Sequence, residues 1–168
     1  MIILGVDPGL NTTGYGILED KELKLLECGI WSLENLKFTD KLRELSSRVR
    51  EVFLRYSPKR MVIEEPFHAR NPRLTLEMGK LVGALTLTGV EEGVEVEVYS
   101  TLQVKEAVTG YGRADKNQVR EMVKRILKLE DIPSSLDASD AVGVAICSIL
   151  HHQWREKIDR VLEREIDT

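Results

Sequence analysis

A chain of 168 residues is long enough to bury about two thirds of the surface its unfolded form exposes, so a single domain over residues 1–168 is expected, with no need of a disulfide or structural metal. Its two cysteines, Cys28 and Cys147, lack the spacing of a zinc or redox motif, and no apolar run approaches the roughly 20 residues of a membrane span; small core thiols in a cytoplasmic protein without membrane contact are expected. The formal charge of −4 argues mildly against a polyanionic partner, but carboxylates gathered round two divalent cations would cancel it and leave lysines and arginines elsewhere to meet phosphates.

In chain order, residues 1–7 (MIILGVD) are an apolar run ending in acid before Pro8-Gly9, which suits a strand buried on both faces at the middle of a sheet. Residues 13–19 and 23–31 read as two further strands, joined by a connection short enough to make an antiparallel meander. From Thr39 to Tyr56, Leu42, Leu45, Val49, Val52, Phe53 and Tyr56 recur at helical spacing, and Pro58 ends that helix. Residues 60–64 (RMVIE) give another buried strand ending in acid, parallel to the first through the helical crossover, so the sheet is mixed.

The segment 72–88 is apolar nearly all round, which predicts a helix covered on more than one side, with Gly79 and Gly83 placed to admit another backbone. Residues 94–99 (VEVEVY) alternate strictly and predict an edge strand with one wet face. Asp115 and Gln118 form a capping box for a basic amphipathic helix through Leu129, and Pro133-Ser134 opens a last helix running past Trp154.

Two acids end the buried strands, Asp7 and Glu64, and parallel strands open on the same sheet edge. Two more, Asp137 and Asp140, stand three residues apart on one face of the apolar last helix, where like charges resist burial. If that helix crosses the edge, four carboxylates share one small volume, and hard divalent cations are what stabilise it. Mg²⁺ fits, with Mn²⁺ as a substitute, and a pair of ions about 4 Å apart suits attack of water on a phosphodiester. Asp137 alone is equally the acid of a capping box with Ser134.

The stretches GVDPGLNTTGYG (5–16), VIEEPFHARN (62–71), QVKEAVTGYGRADKNQV (103–119) and LDASDAVGVAIC (136–147) resemble, in order, the motifs of the RuvC family of Holliday junction resolvases. The resemblance implies an α/β, ribonuclease H-like fold with a mixed five-stranded sheet flanked by helices. It places an acidic catalytic and metal-binding tetrad on Asp7, Glu64, Asp137 and Asp140. It implies Mg²⁺-dependent, paired symmetric nicks at four-way junction DNA by a homodimer, working with the RuvA-RuvB branch-migration complex. Family lysines near the scissile phosphate fall on Lys105 and Lys116, and the aromatic that stacks on a junction base falls on Phe67. From the residues themselves, Arg113, Lys116, Arg120 and Lys124 form a basic stripe suited to phosphates beside Gly110-Tyr111-Gly112. Glu65-Pro66 departs from the family pattern, which bears on the geometry of Phe67.

Three other readings meet obstacles or need experiment. An actin-like or sugar-kinase nucleotide site needs a second lobe for which this length has no room. A related nuclease acting on structured RNA shares the opening motif and differs in substrate. A non-catalytic junction-binding module has no use for four acids.

Overall fold

The computed structural model describes residues 1–65, 71–130 and 135–166. Its centre is β1 (Ile2–Asp7), whose Ile3, Leu4 and Val6 are buried on alternating faces. Strands β2 (Thr12–Glu19) and β3 (Lys24–Ser32) follow as the expected antiparallel meander, with Asp7 opposite Gly14. Helix α1 (Phe38–Tyr56) carries the chain across one face and stops where Ser57 takes a left-handed φ of 47° before Pro58. The crossover returns β4 (Arg60–Glu65) parallel to β1, with Val6 beside Ile63. Helix α2 (Pro72–Glu91) then leads to β5 (Glu95–Ser100), parallel to β4, and the sheet order among the described strands is β3-β2-β1-β4-β5.

Each sheet face has its own core. Leu4, Val6, Met61 and Ile63 meet Leu45, Val49 and Phe53 of α1 and Leu81 and Leu85 of α2. On the other face Ile3 and Val62 meet α5 (Leu136–Ile166), which is covered from outside by α3 (Thr101–Thr109) and α4 (Lys116–Ile126). Sandwiched so, α5 is buried continuously from Ala141 to Ile149, as a helix with apolar residues all round requires. Two glycines let it lie close to the sheet. A Cβ on Gly5 would fall 2.2 Å from the Ala141 carbonyl oxygen, and one on Gly14 would fall 2.0 Å from that of Asp137. Any larger side chain at either position pushes the first turns of α5 off the strands.

Four expectations change. The 101–109 stretch, given no element from the sequence, is α3, opened by a capping box between Ser100 and Gln103 that the S-x-x-Q spacing carries. The edge position of β5 holds, but its faces do not divide into wet glutamates and dry valines: Glu97 turns under α5 while Val98 is 43% exposed. Helix α4 ends at Ile126, short of Leu129, although its Asp115–Gln118 capping box forms as read. Finally, among the described residues α2 is covered on one side only; Leu76, Leu87 and Val90 are 61%, 58% and 62% exposed, and no described atom lies within 4 Å of a Cβ built on Gly79 or Gly83.

Candidate active site

Side chains alternate along a strand, so Ile3, Gly5 and Asp7 of β1 face α5, as do Arg60, Val62 and Glu64 of β4. Parallel register, with Val6 beside Ile63, brings Asp7 and Glu64 to the same end of the sheet. There α5 begins, and Ser135 Oγ accepts from the Ala138 amide at 3.4 Å to cap its first turn. Ser134, the partner read for Asp137 in a capping box, lies outside the described residues. The Asp137 carboxylate is turned to the sheet, where Thr12 donates to its Oδ2 at 2.8 Å.

The result is an acidic cleft. One carboxylate oxygen from each of Asp7, Asp137 and Asp140 lies within 4.8 Å of the others. Glu64 lines a cavity of about 240 Å³ with Asp7, Asp140, Thr101, Lys105 and Lys116. Burial, then the charges of Glu64 and Asp140, hold the Asp7 carboxyl well above the usual aspartate range, only partly opposed by Lys116. Burial also raises the Glu64 carboxyl, against a 2.5 Å hydrogen bond donated by Thr101 and the pull of Lys116 and Lys105. Lys116 Nζ stands 2.9 Å from Asp140 Oδ2, and that contact raises the ammonium's pKa. So one lysine in direct contact, a second nearby and two hydroxyls face four acids. The donor set is all oxygen and short of positive charge, which fits a hard divalent cation.

Of the residues singled out from the sequence, Asp7, Glu64, Asp137, Asp140, Lys105 and Lys116 come together here. Phe67 lies outside the described residues, as does Pro66, so their geometry stays an expectation. Arg113 is exposed in the loop before α4, and Arg120 and Lys124 follow Lys116 at one-turn intervals along α4, leading away from the cleft. The sequence reading missed Thr12 and Thr101, whose hydroxyls reach acids distant in the chain; no local pattern marks such contacts.

Comparison with known proteins agrees with this architecture. A family model described as crossover junction endodeoxyribonuclease RuvC matches residues 3–148. A protein of that description from Pelotomaculum thermopropionicum is 40% identical over 161 residues, covering 94% of this chain and 98% of its own. Another, from Polynucleobacter necessarius, is 45% identical over 150 residues, covering 89% of both. The structure of Thermus thermophilus RuvC in complex with Holliday junction substrate superposes with a TM-score of 0.85 at 30% identity, over 92% of this chain and 96% of that one. The yeast mitochondrial Holliday junction resolvase, at 15% identity and a TM-score of 0.64, shares the fold. With one model spanning most of the chain and relatives matched nearly end to end, this chain belongs to the RuvC family, and its mixed five-stranded α/β architecture is the ribonuclease H-like fold of that family.

Proposed function

We propose that the protein is a crossover junction endodeoxyribonuclease that resolves Holliday junctions in recombination and repair by paired, metal-dependent hydrolytic nicks in strands of like polarity. The observation that carries the chemistry is the crowding of Asp7, Asp137 and Asp140, with Glu64 across the same cleft, on this family's fold. Asp7, Glu64, Asp137 and Asp140 are the catalytic, metal-holding residues, and two Mg²⁺ ions, or Mn²⁺ in their place, are the cofactors. Held by these four acids, the ions would supply an activated water and would offset charge on the leaving oxygen.

The chain's own groups do the rest. Lys105 and Lys116 draw a phosphate toward the acids and offset charge on its non-bridging oxygens. Arg113, Arg120 and Lys124 hold backbone phosphates beyond the cleft, fixing position without reading sequence. Phe67 stacks on a junction base.

The exposed row Leu76, Gly79, Gly83, Leu87 and Val90 on α2 supports a homodimer, because glycines in an apolar stripe admit a partner backbone and a twofold axis presents two equivalent sites to two equivalent strands. Residues 1–168 act as one nuclease domain. Among the described residues no helix is long and apolar enough to cross a membrane, and we place the enzyme in the cytoplasm, working with the RuvA-RuvB complex.

Incubation with labelled four-way junction, linear duplex and structured RNA, with and without Mg²⁺, tests the reading. Selective, metal-dependent junction cutting is expected. Preferential cutting of structured RNA would overturn it in favour of an RNA-directed relative, and junction binding without cutting would favour a non-catalytic module.

A further inference from the structure

We infer that Thr101 and Thr12 are positioning residues that aim Glu64 and Asp137 at the cations. The inference rests on the proposed metal-holding role of those acids and goes beyond it, to residues in other elements. Thr101 Oγ1 donates to Glu64 Oε1 at 2.5 Å, and Thr12 Oγ1 donates to Asp137 Oδ2 at 2.8 Å. In each case one carboxylate oxygen accepts the hydroxyl, and among the described residues no hydrogen bond or ion pair engages its twin, which can turn to a cation.

The hydroxyls are themselves held in place. Thr101 is the first residue of α3, directly after β5, whose register sets Tyr99 beside Glu64. The Ser100–Gln103 capping box fixes the backbone on which Thr101 stands. Thr12 opens β2, paired with Ser32 of β3, and is pinned against the first turn of α5 by the close approach at Gly14. A glutamate needs such help more than an aspartate, since it has one more side-chain torsion and its terminal torsion is broad. Among the described residues the Asp7 carboxylate accepts no hydrogen bond, and that of Asp140 faces Lys116. The cluster thus uses two kinds of support. A lysine orients by lending positive charge, which competes with the cation; a hydroxyl orients and leaves the carboxylate's full charge available. Neutral second-layer donors of this kind hold metal-ligating carboxylates in other sites, where their loss lowers metal affinity or activity roughly 10–100-fold.

The test uses the full chain with Thr101→Val, which keeps shape and removes the donor, and Thr101→Ser, which restores it. Mn²⁺ binding to DNA-free protein is followed by titration calorimetry, alongside the Mg²⁺ concentration for half-maximal junction cleavage, metal-free junction binding and metal-free melting. Thr101→Val should weaken Mn²⁺ binding and raise the Mg²⁺ requirement by about tenfold or more, with metal-free junction binding unchanged and Thr101→Ser within about threefold of the parent. Thr12→Val should act likewise through Asp137. Parent-like Mn²⁺ affinity and Mg²⁺ requirement in both valine variants would overturn the inference, as would a loss that Thr101→Ser fails to recover. Glu64→Gln in parallel separates the two levels. If it loses metal binding and cleavage while both valine variants keep them, only the positioning role fails; if it keeps both, the metal-holding role of Glu64 fails first.

Discussion

Two acidic clusters lie on the same face of the same sheet, and by spacing alone they look alike. Oxygen or nitrogen atoms of Asp7, Asp137 and Asp140 fall within 4.8 Å of one another, and so do those of Glu95, Glu97 and His152. Strand β4 borders both, with Glu64 beside the first and Arg60 beside the second, four residues or about 13 Å apart. The difference is the supply of positive charge. Arg60, with only 6% of its side chain exposed, sits 3.0 Å from Glu95 and 3.5 Å from Glu97. Ser148 donates to Glu97 at 2.6 Å, and His152 Nε2 meets it at 2.5 Å while its Nδ1 faces Arg60. Burial alone would raise the Glu97 carboxyl, yet Ser148, His152 and Arg60 together pull it below its usual value. Asp7, buried among acids, is pushed the other way. An acidic cluster that serves the fold carries its own cation; one short of positive charge depends on a cation from solution.

The largest expected effect is on catalysis. Asp140→Asn keeps the shape and removes a charge, so junction cleavage in Mg²⁺ should fall by about 100-fold or more while metal-free junction binding persists. Near-normal cleavage would erase the distinction between the clusters, since Asp140 would then serve structure as Glu97 does.

Next comes the other cluster. Arg60→Met leaves Glu97 half-buried without its guanidinium partner and should lower stability by about 3 kcal/mol, or roughly 6–12 °C in Tm. Mn²⁺ affinity of the acidic cleft should not change. If charge supply is the whole difference, this variant's Glu95, Glu97 and His152 should also begin to bind Zn²⁺ and recover part of the lost Tm.

A smaller effect, of opposite sign, is expected at Asp7. Its raised pKa means that the folded, metal-free protein keeps this proton to higher pH than the unfolded chain does. The stability cost is therefore absent below about pH 4 and grows as pH rises through the folded value. In EDTA at pH 8, Asp7→Asn should melt roughly 2–4 °C above the parent, and the gap should close toward pH 4. Mg²⁺ should reverse the order. At a hundred times its Kd it stabilises the parent by about 2.7 kcal/mol and the variant much less. Asp7 tests this better than Asp140, because removing Asp140 also strands Lys116.

The smallest effect concerns the basic row on α4. Lys124→Ala should weaken binding to any junction sequence alike and flatten the salt dependence by about one unit of slope. An unchanged slope would make that row a solvated helix face.

Most of the fold was legible because its signals are local. The buried runs 1–7 and 60–64, the 39–56 periodicity and the Asp115–Gln118 box each specify an element from neighbouring residues. The alternation of β5 was equally legible and yet misleading about its faces. Which face of a strand is wet depends on what packs there, and α5 brings Ser148 and His152 to meet Glu97 while nothing in the described chain covers Val98.

The sequence by itself determined the acids that could form a site, since a carboxylate ending a buried strand or embedded in an apolar helix is costly unless something answers its charge. It also determined the family, through motifs held in order along the chain. Only the tertiary structure decided which acids are answered by a buried cation and which by a neutral hydroxyl. That depends on Arg60 reaching Glu97, Thr101 reaching Glu64 and Thr12 reaching Asp137, contacts spanning 37, 37 and 125 residues. Hydrogen bonds and ion pairs act over a few ångströms in space and leave no periodic trace in the chain, so composition names the charges and packing settles which of them are answered.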